Sequence, residues 1–151
     1  MKYVEAPDIL TDRRMPAVFL AGGITDCPDW QTAVVGSLKD ENVALLNPRR
    51  ANFPIDDPQA AVNQIHWEYL HLRTADAVLF WFPRETLCPI ALYELGAWSK
   101  TNKPIFVGTH PEYKRRQDVV IQTQLARLEV TVRETLDELV ADAKKWLKYR
   151  S

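Results

Sequence analysis

Short unbroken apolar runs alternate along this chain with longer stretches in which apolar positions return at i+3 or i+4. That pattern predicts strands at residues 17–21, 43–46, 77–82, 105–108 and 128–132, and helices at 30–39, 59–74, 90–100, 115–125 and 135–149. Gly22 and Gly23 stop the first run, and Asn47-Pro48 stops the second ahead of a polar, proline-rich loop over 49–58. Asp29 is placed to cap the first helix. Thr135 with Glu138 three positions on forms a capping box for the last, whose apolar stripe is Leu136, Leu139, Val140, Ala143 and Trp146. In the 59–74 helix the expected stripe is Ala61, Ile65, Tyr69 and Leu72, with His66 and Arg73 on other faces.

Strands that are apolar throughout are buried on both faces, and their alternation with helices implies crossover connections. The expectation is an α/β fold: a flavodoxin-like, doubly wound, five-stranded parallel sheet with helices on both faces, built as a single domain over residues 1–151. Ligands of such sheets bind outside the carboxyl ends of the strands. This nominates residues 22–29, 47–57, 83–88 and 109–113.

Composition narrows the function. With 19 basic and 20 acidic residues scattered through 151, there is no cationic field for DNA or RNA, and a small-molecule substrate is expected instead. No apolar run reaches the roughly 20 residues that span a bilayer, and Glu5 and Asp8 stand where a signal peptide needs an apolar core. Cys27 and Cys88 make neither a disulfide framework nor a zinc-ligand spacing, so the expected home is the cytoplasm. His66, His71 and His110 lack the i, i+4 pairing of a helical metal site, and neither the dinucleotide fingerprint nor a phosphate loop is present. No metal and no cofactor are expected.

Between Ile90 and Trp98 every residue is apolar or glycine except Glu94. A carboxylate in a segment that should pack is costly unless it has a task. Pro89 suits the first helical position, which puts Cys88 at the N-cap and Glu94 about a turn and a half inside, where the helix dipole would favour its ionised form. Asp76, in Thr74-Ala75-Asp76-Ala77-Val78, is the second candidate, although a residue ahead of a strand lies at the strand's amino end unless the loop folds back. Gly22 and Gly23 permit a tight turn and close backbone approach to a ligand. Arg49 and Arg50 could orient a polar substrate edge. Trp30, Trp81 and Phe82 lie where a base could stack or where a core needs aromatic bulk.

With Phe19-Leu20-Ala21-Gly22-Gly23-Ile24, Ala75-Asp76-Ala77-Val78-Leu79 and Tyr93-Glu94-Leu95-Gly96 in this order, the chain resembles the nucleoside 2-deoxyribosyltransferase family over roughly residues 18–107. The resemblance implies a pocket for deoxyribose lined by Gly22, Gly23 and Ile24, with Glu94 as nucleophile and Asp76 as acidic partner and candidate proton donor. Trp30, Arg49 and Cys88 complete the expected substrate-binding set. Some transferases have an aspartate six positions before the nucleophile, where this chain has Cys88, which implies that base protonation is arranged differently or that base exchange is weak. Relatives that hydrolyse deoxynucleoside monophosphates tend to have serine and arginine after the first strand, where this chain has Gly23-Ile24-Thr25.

What the resemblance implies is attack by the Glu94 carboxylate on C1′ of a 2′-deoxynucleoside, a covalent glycosyl-enzyme, and resolution by water or a second base with net retention. The alternatives are a deoxynucleoside or deoxynucleoside 5′-monophosphate N-glycosidase, and a non-catalytic nucleotide-sensing module. A homo-oligomer is also implied, its neighbouring subunit helping to close the site. Trp67, Tyr69, Trp98 and Trp146, on helices that cover the sheet, are the expected contact residues.

Overall fold

The computed structural model describes residues 1–150. In chain order the elements are β1 (Lys2–Glu5), β2 (Ala17–Gly22), α1 (Trp30–Ser37), β3 (Ala44–Asn47), α2 (Ala60–Thr74), β4 (Ala77–Phe82), α3 (Pro89–Trp98), β5 (Ile105–Thr109), α4 (Arg116–Ala126) and α5 (Leu136–Lys148). The strands form one parallel sheet in the order β1-β3-β2-β4-β5. This is the expected α/β, flavodoxin-like architecture.

Period-two alternation divides each central strand between two apolar clusters. Phe19 and Ala21 of β2, with Val78, Phe80 and Phe82 of β4, pack with Trp67 of α2, Ala91 and Leu95 of α3 and Val119 of α4. Val18 and Leu20, with Ala77, Leu79 and Trp81, pack with Trp30 and Val34 of α1 and with Leu139, Val140 and Ala143 of α5. Asp29 caps α1 by accepting from Thr32 N at 3.1 Å, and Thr135 and Glu138 make the reciprocal capping box of α5. Among the described residues, no helix is long and apolar enough to cross a membrane.

Three expectations are corrected. The fifth strand is β1, at the edge beside β3, and not residues 128–132. That later segment meets β5 at a single bridge, Arg133 with Gly108, while Val130 and Val132 pack on the core. Its apolar pattern reports only the partial burial of Val130 and Val132, while Leu128 is exposed. In α2 the buried face is Ala60, Trp67, His71 and Leu72, whereas Ile65 and Tyr69 are exposed. Of the four expected contact aromatics only Tyr69 is exposed: Trp67 is in the core, Lys103 Nζ lies 4.4 Å from the Trp98 ring centroid, and Trp146 packs edge-on against Phe106. Trp30, Trp81 and Phe82 are core residues as well.

The sheet order fixes where a ligand can enter. From β2 the chain moves to one side to reach β3, then returns to the other side as β4, so the strand order reverses at β2 and β4. The loops leaving these two strands diverge, to α1 in one cluster and α3 in the other, and leave a crevice outside their carboxyl ends.

Candidate active site

A cavity of about 350 Å³ occupies that crevice, lined by Phe19, Ala21 and the Gly22–Thr25 turn, by Pro48 after β3, by Glu68 of α2, and by Thr86 through Ala91 except Leu87, with Glu94 of α3. Gly22 is required here. Its φ is +155°, and a Cβ would stand 2.2 Å from Trp81 O and 2.7 Å from Trp30 Cζ2. Gly23 is also close to its surroundings, with Pro83 Cγ at 2.8 Å from where its Cβ would be. The two glycines let the chain turn flat against β4 and leave room for the cavity.

Opposite this turn, Pro89 opens α3 as expected, and Cys88 takes the N-cap with a left-handed φ of 51° and no side-chain cap bond. The helix then carries Glu94 onto the cavity, half-buried, where among the described residues it has neither a hydrogen-bond donor nor a cation for a partner. Burial, with a further contribution from the charge of Glu68, pushes its carboxyl up to about 8. The helix dipole was expected to favour the anion; desolvation outweighs it at this depth.

Glu68 is the second titratable carboxyl of the cavity. Burial raises its pKa, and a 2.9 Å hydrogen bond donated by Gln64 Nε2 works in the opposite direction. The same amide nitrogen donates to Pro48 O at 2.8 Å, so Gln64 ties Glu68 to the end of β3. Two half-buried carboxyls with raised pKa values, one of them unpartnered, form a site that can hold a proton on one group while the other is a free anion.

Residues 15–113 match the sequence profile of a family described as nucleoside 2-deoxyribosyltransferase like. The chain belongs to that family. No curated protein matches it.

Within this nucleoside 2-deoxyribosyltransferase-like chain, the cavity brings together Gly22, Gly23, Ile24, Cys88 and Glu94 from the residues nominated by sequence. It does not bring in Asp76, Trp30 or Arg49. Asp76 precedes β4, at its amino end; its main-chain N–H donates to Ala17 O and its Oδ2 accepts from Ala17 N, both at 2.8 Å, while Arg150 approaches Oδ1 at 3.4 Å. Asp76 is not among the residues that line the cavity, and its carboxylate is engaged at the amino end of β4. A proton donor must be within hydrogen-bond reach of its acceptor. Asp76 instead joins the starts of β2 and β4.

Trp30 donates Nε1–H to Gly23 O at 2.8 Å and supports the turn from beneath. Arg49 is spent on the loop after β2: its guanidinium donates to Ile24 O, to Cys27 O at 3.0 Å and to Gln31 Oε1 at 3.2 Å, and pairs with Asp29 at 3.2 Å. It shapes one wall without facing the cavity. Glu68 is a lining residue that sequence reasoning missed, whereas Thr86 lies in the nominated 83–88 segment. The available signal for Glu68 was its i, i+4 relation to Gln64 on a helix that also buries Trp67 and His71.

Proposed function

We propose that the protein cleaves or transfers the N-glycosidic bond of a 2′-deoxynucleoside, with Glu94 as nucleophile. The carrying observation is the unpartnered Glu94 carboxyl in a cavity at the strand-order reversal, with a second protonatable carboxyl on the same wall. Membership of the family supports the same reaction class.

In this reading the ionised Glu94 attacks C1′ as the bond to the base breaks, through an oxocarbenium-like state, and a glycosyl ester forms on its oxygen. The departing base needs a proton; in this coupled pair of carboxyls the reactive state is the one with the charge on Glu94 and the proton on Glu68, which then gives that proton to the base. Water, or the N–H nitrogen of a second base, then attacks C1′ from the opposite side while Glu68, left as a carboxylate by the first step, takes its proton; the ester bond to Glu94 breaks, Glu94 returns to a carboxylate, and the outcome is net retention. Cys88, its thiol pushed up to about 12 by burial, is a neutral wall where some transferases have a carboxylate. The cavity lining has no Lys, Arg or His, which favours an unphosphorylated nucleoside over its 5′-monophosphate.

The test is incubation of the protein with each 2′-deoxynucleoside, with and without an acceptor base, followed by chromatography of free and exchanged bases. Release of base alone identifies hydrolysis, a new nucleoside identifies transfer, and neither product with any deoxynucleoside refutes the reading.

The functional unit in this proposal is a homo-oligomer. α2 and α3, which carry the two carboxyls, also expose Ile65, Tyr69, Ile90 and Tyr93, and Ile90 is itself part of the cavity wall. A second copy packed on these helices would cover apolar surface and the cavity mouth together.

A further inference from the structure

We propose that Cys27 and Cys88 form an oxidation site beside the cavity, where a hydroperoxide converts the two thiols into an intramolecular disulfide. The sulfurs of Cys27 and Cys88 lie 3.0 and 3.1 Å from one point, the place a Cβ on Gly23 would take. Their separation is therefore bounded by the sum of those distances, although the two positions are 61 apart in sequence. The absence of a side chain on Gly23 lets both sulfurs approach its α-carbon. Both thiols are free, so the sulfurs can pair once a local shift brings them to bonding distance.

The two sides of the pair differ in a way that assigns their order. Cys27 lies in the loop after β2, half-buried, next to Asp26, whose φ of 57° is left-handed. Arg49 Nη2 stands 3.8 Å from Cys27 Sγ, a cation placed to favour the thiolate. Cys88 is buried at the N-cap of α3, its sulfur 3.5 Å from Thr86 O. Burial raises the pKa of both thiols; at Cys27 the charge of Arg49 opposes that rise, while at Cys88 nothing does. Cys27 is thus the attacking thiol and Cys88 the resolving one, and oxidation is slow enough to require sustained peroxide.

In the first step Cys27 loses its proton and its sulfur takes one oxygen of the peroxide. The O–O bond breaks, and the departing hydroxide leaves with that proton as water, giving a sulfenic acid. Cys88 then attacks the Cys27 sulfur, the S–S bond forms, the S–O bond breaks, and the hydroxyl leaves with the Cys88 proton as a second water. Two electrons pass from the sulfurs to the peroxide, and a dithiol reductant returns them. The bond would tie the loop after β2 to the cap of α3, the two walls between which the cavity opens.

The experiment treats the full chain with hydrogen peroxide, blocks remaining thiols with an alkylating reagent under denaturing conditions, and analyses intact and proteolysed protein by mass spectrometry without reduction. The expected result is a chain that has lost two hydrogens, takes no alkyl label, and yields a linked Cys27–Cys88 peptide pair. Dithiothreitol should restore both labels. In Cys27→Ser, Cys88 should remain reduced and fully labelled after the same treatment. Three results would overturn the proposal: cross-links only between chains, Cys27 carried on to sulfinic acid while Cys88 stays reduced, or no oxidation at a peroxide concentration that oxidises the denatured chain.

Discussion

Glu68 on α2 and Glu94 on α3 line the same cavity, and the charge of Glu68 adds to burial in pushing the Glu94 carboxyl up to about 8. A nucleophile must be ionised to attack, so kcat/KM should rise with pH through about 8 in the free enzyme. Glu68→Gln removes the smaller of the two causes and should move this rising limb to lower pH. Burial, the larger cause, remains, so the limb should stay above the ordinary carboxylate range. A pH–rate series on both proteins measures this, and an unmoved limb would show that the two carboxyls do not interact.

Glu94→Gln should retain the fold and lower turnover by several orders of magnitude, because the amide keeps the shape but is no nucleophile. Its stability should also respond to pH in a defined direction. The folded carboxyl has its pKa raised from 4.5 to about 8, so its favourable contribution is complete below 4.5 and is lost as pH climbs through about 8. The amide does not titrate. The Tm difference, variant minus parent, should therefore grow between pH 4.5 and 8, and a constant difference would contradict the burial assigned to Glu94.

Asp76→Ala should act on stability. It leaves Ala17 N without its 2.8 Å acceptor in a part-buried position, a loss of about 1–3 kcal/mol by denaturant titration. If Asp76 instead donated the proton to the leaving base, the variant would slow poor leaving groups more than activated ones. Its position at the amino end of β4 predicts equal effects across a leaving-group series.

The difference between Asp76 and Glu68 shows what a pattern of residues can convey. Glu94 is legible because it interrupts an otherwise apolar helix, and Gly22-Gly23 because a tight turn after a buried strand needs residues without side chains. The alternation of strands and helices points to the carboxyl ends of the strands, but the strand order that selects β2 and β4 is not legible, and β1, a short edge strand of Lys2, Tyr3, Val4 and Glu5, has too little apolar character to be recognised. Glu68 is hidden for a physical reason. α2 has apolar residues on two sides, and Ile65 and Tyr69 suggest a stripe that the fold leaves in solvent, while Trp67 and His71 are buried against the sheet. Rotating the assumed face of α2 moves Glu68 out of sight. Arg49 illustrates a second limit: its residue type fits substrate binding, but in the fold its donors are consumed by Ile24, Cys27 and Gln31.

Those exposed residues of α2 and α3 lead to the last prediction. Ile65 is 63% exposed and Tyr93 79%, and Tyr69 and Ile90 are exposed beside them on the helices that carry Glu68 and Glu94. Apolar side chains at this density are costly to leave in water, and aromatic residues are favoured at the centres of subunit contacts. Light scattering at micromolar concentration should therefore give a mass above that of one 17.4 kDa chain. The double variant Ile65→Asp, Tyr93→Asp places charges on both helices without touching a buried residue, and should reduce the mass to one chain while the far-UV circular dichroism is retained. If a neighbouring subunit closes the cavity, the same variant should raise KM or lower kcat although neither substituted side chain is a cavity-lining residue. A monomeric parent with full activity, or a monomeric variant with unchanged kinetics, would separate assembly from the chemistry of Glu94.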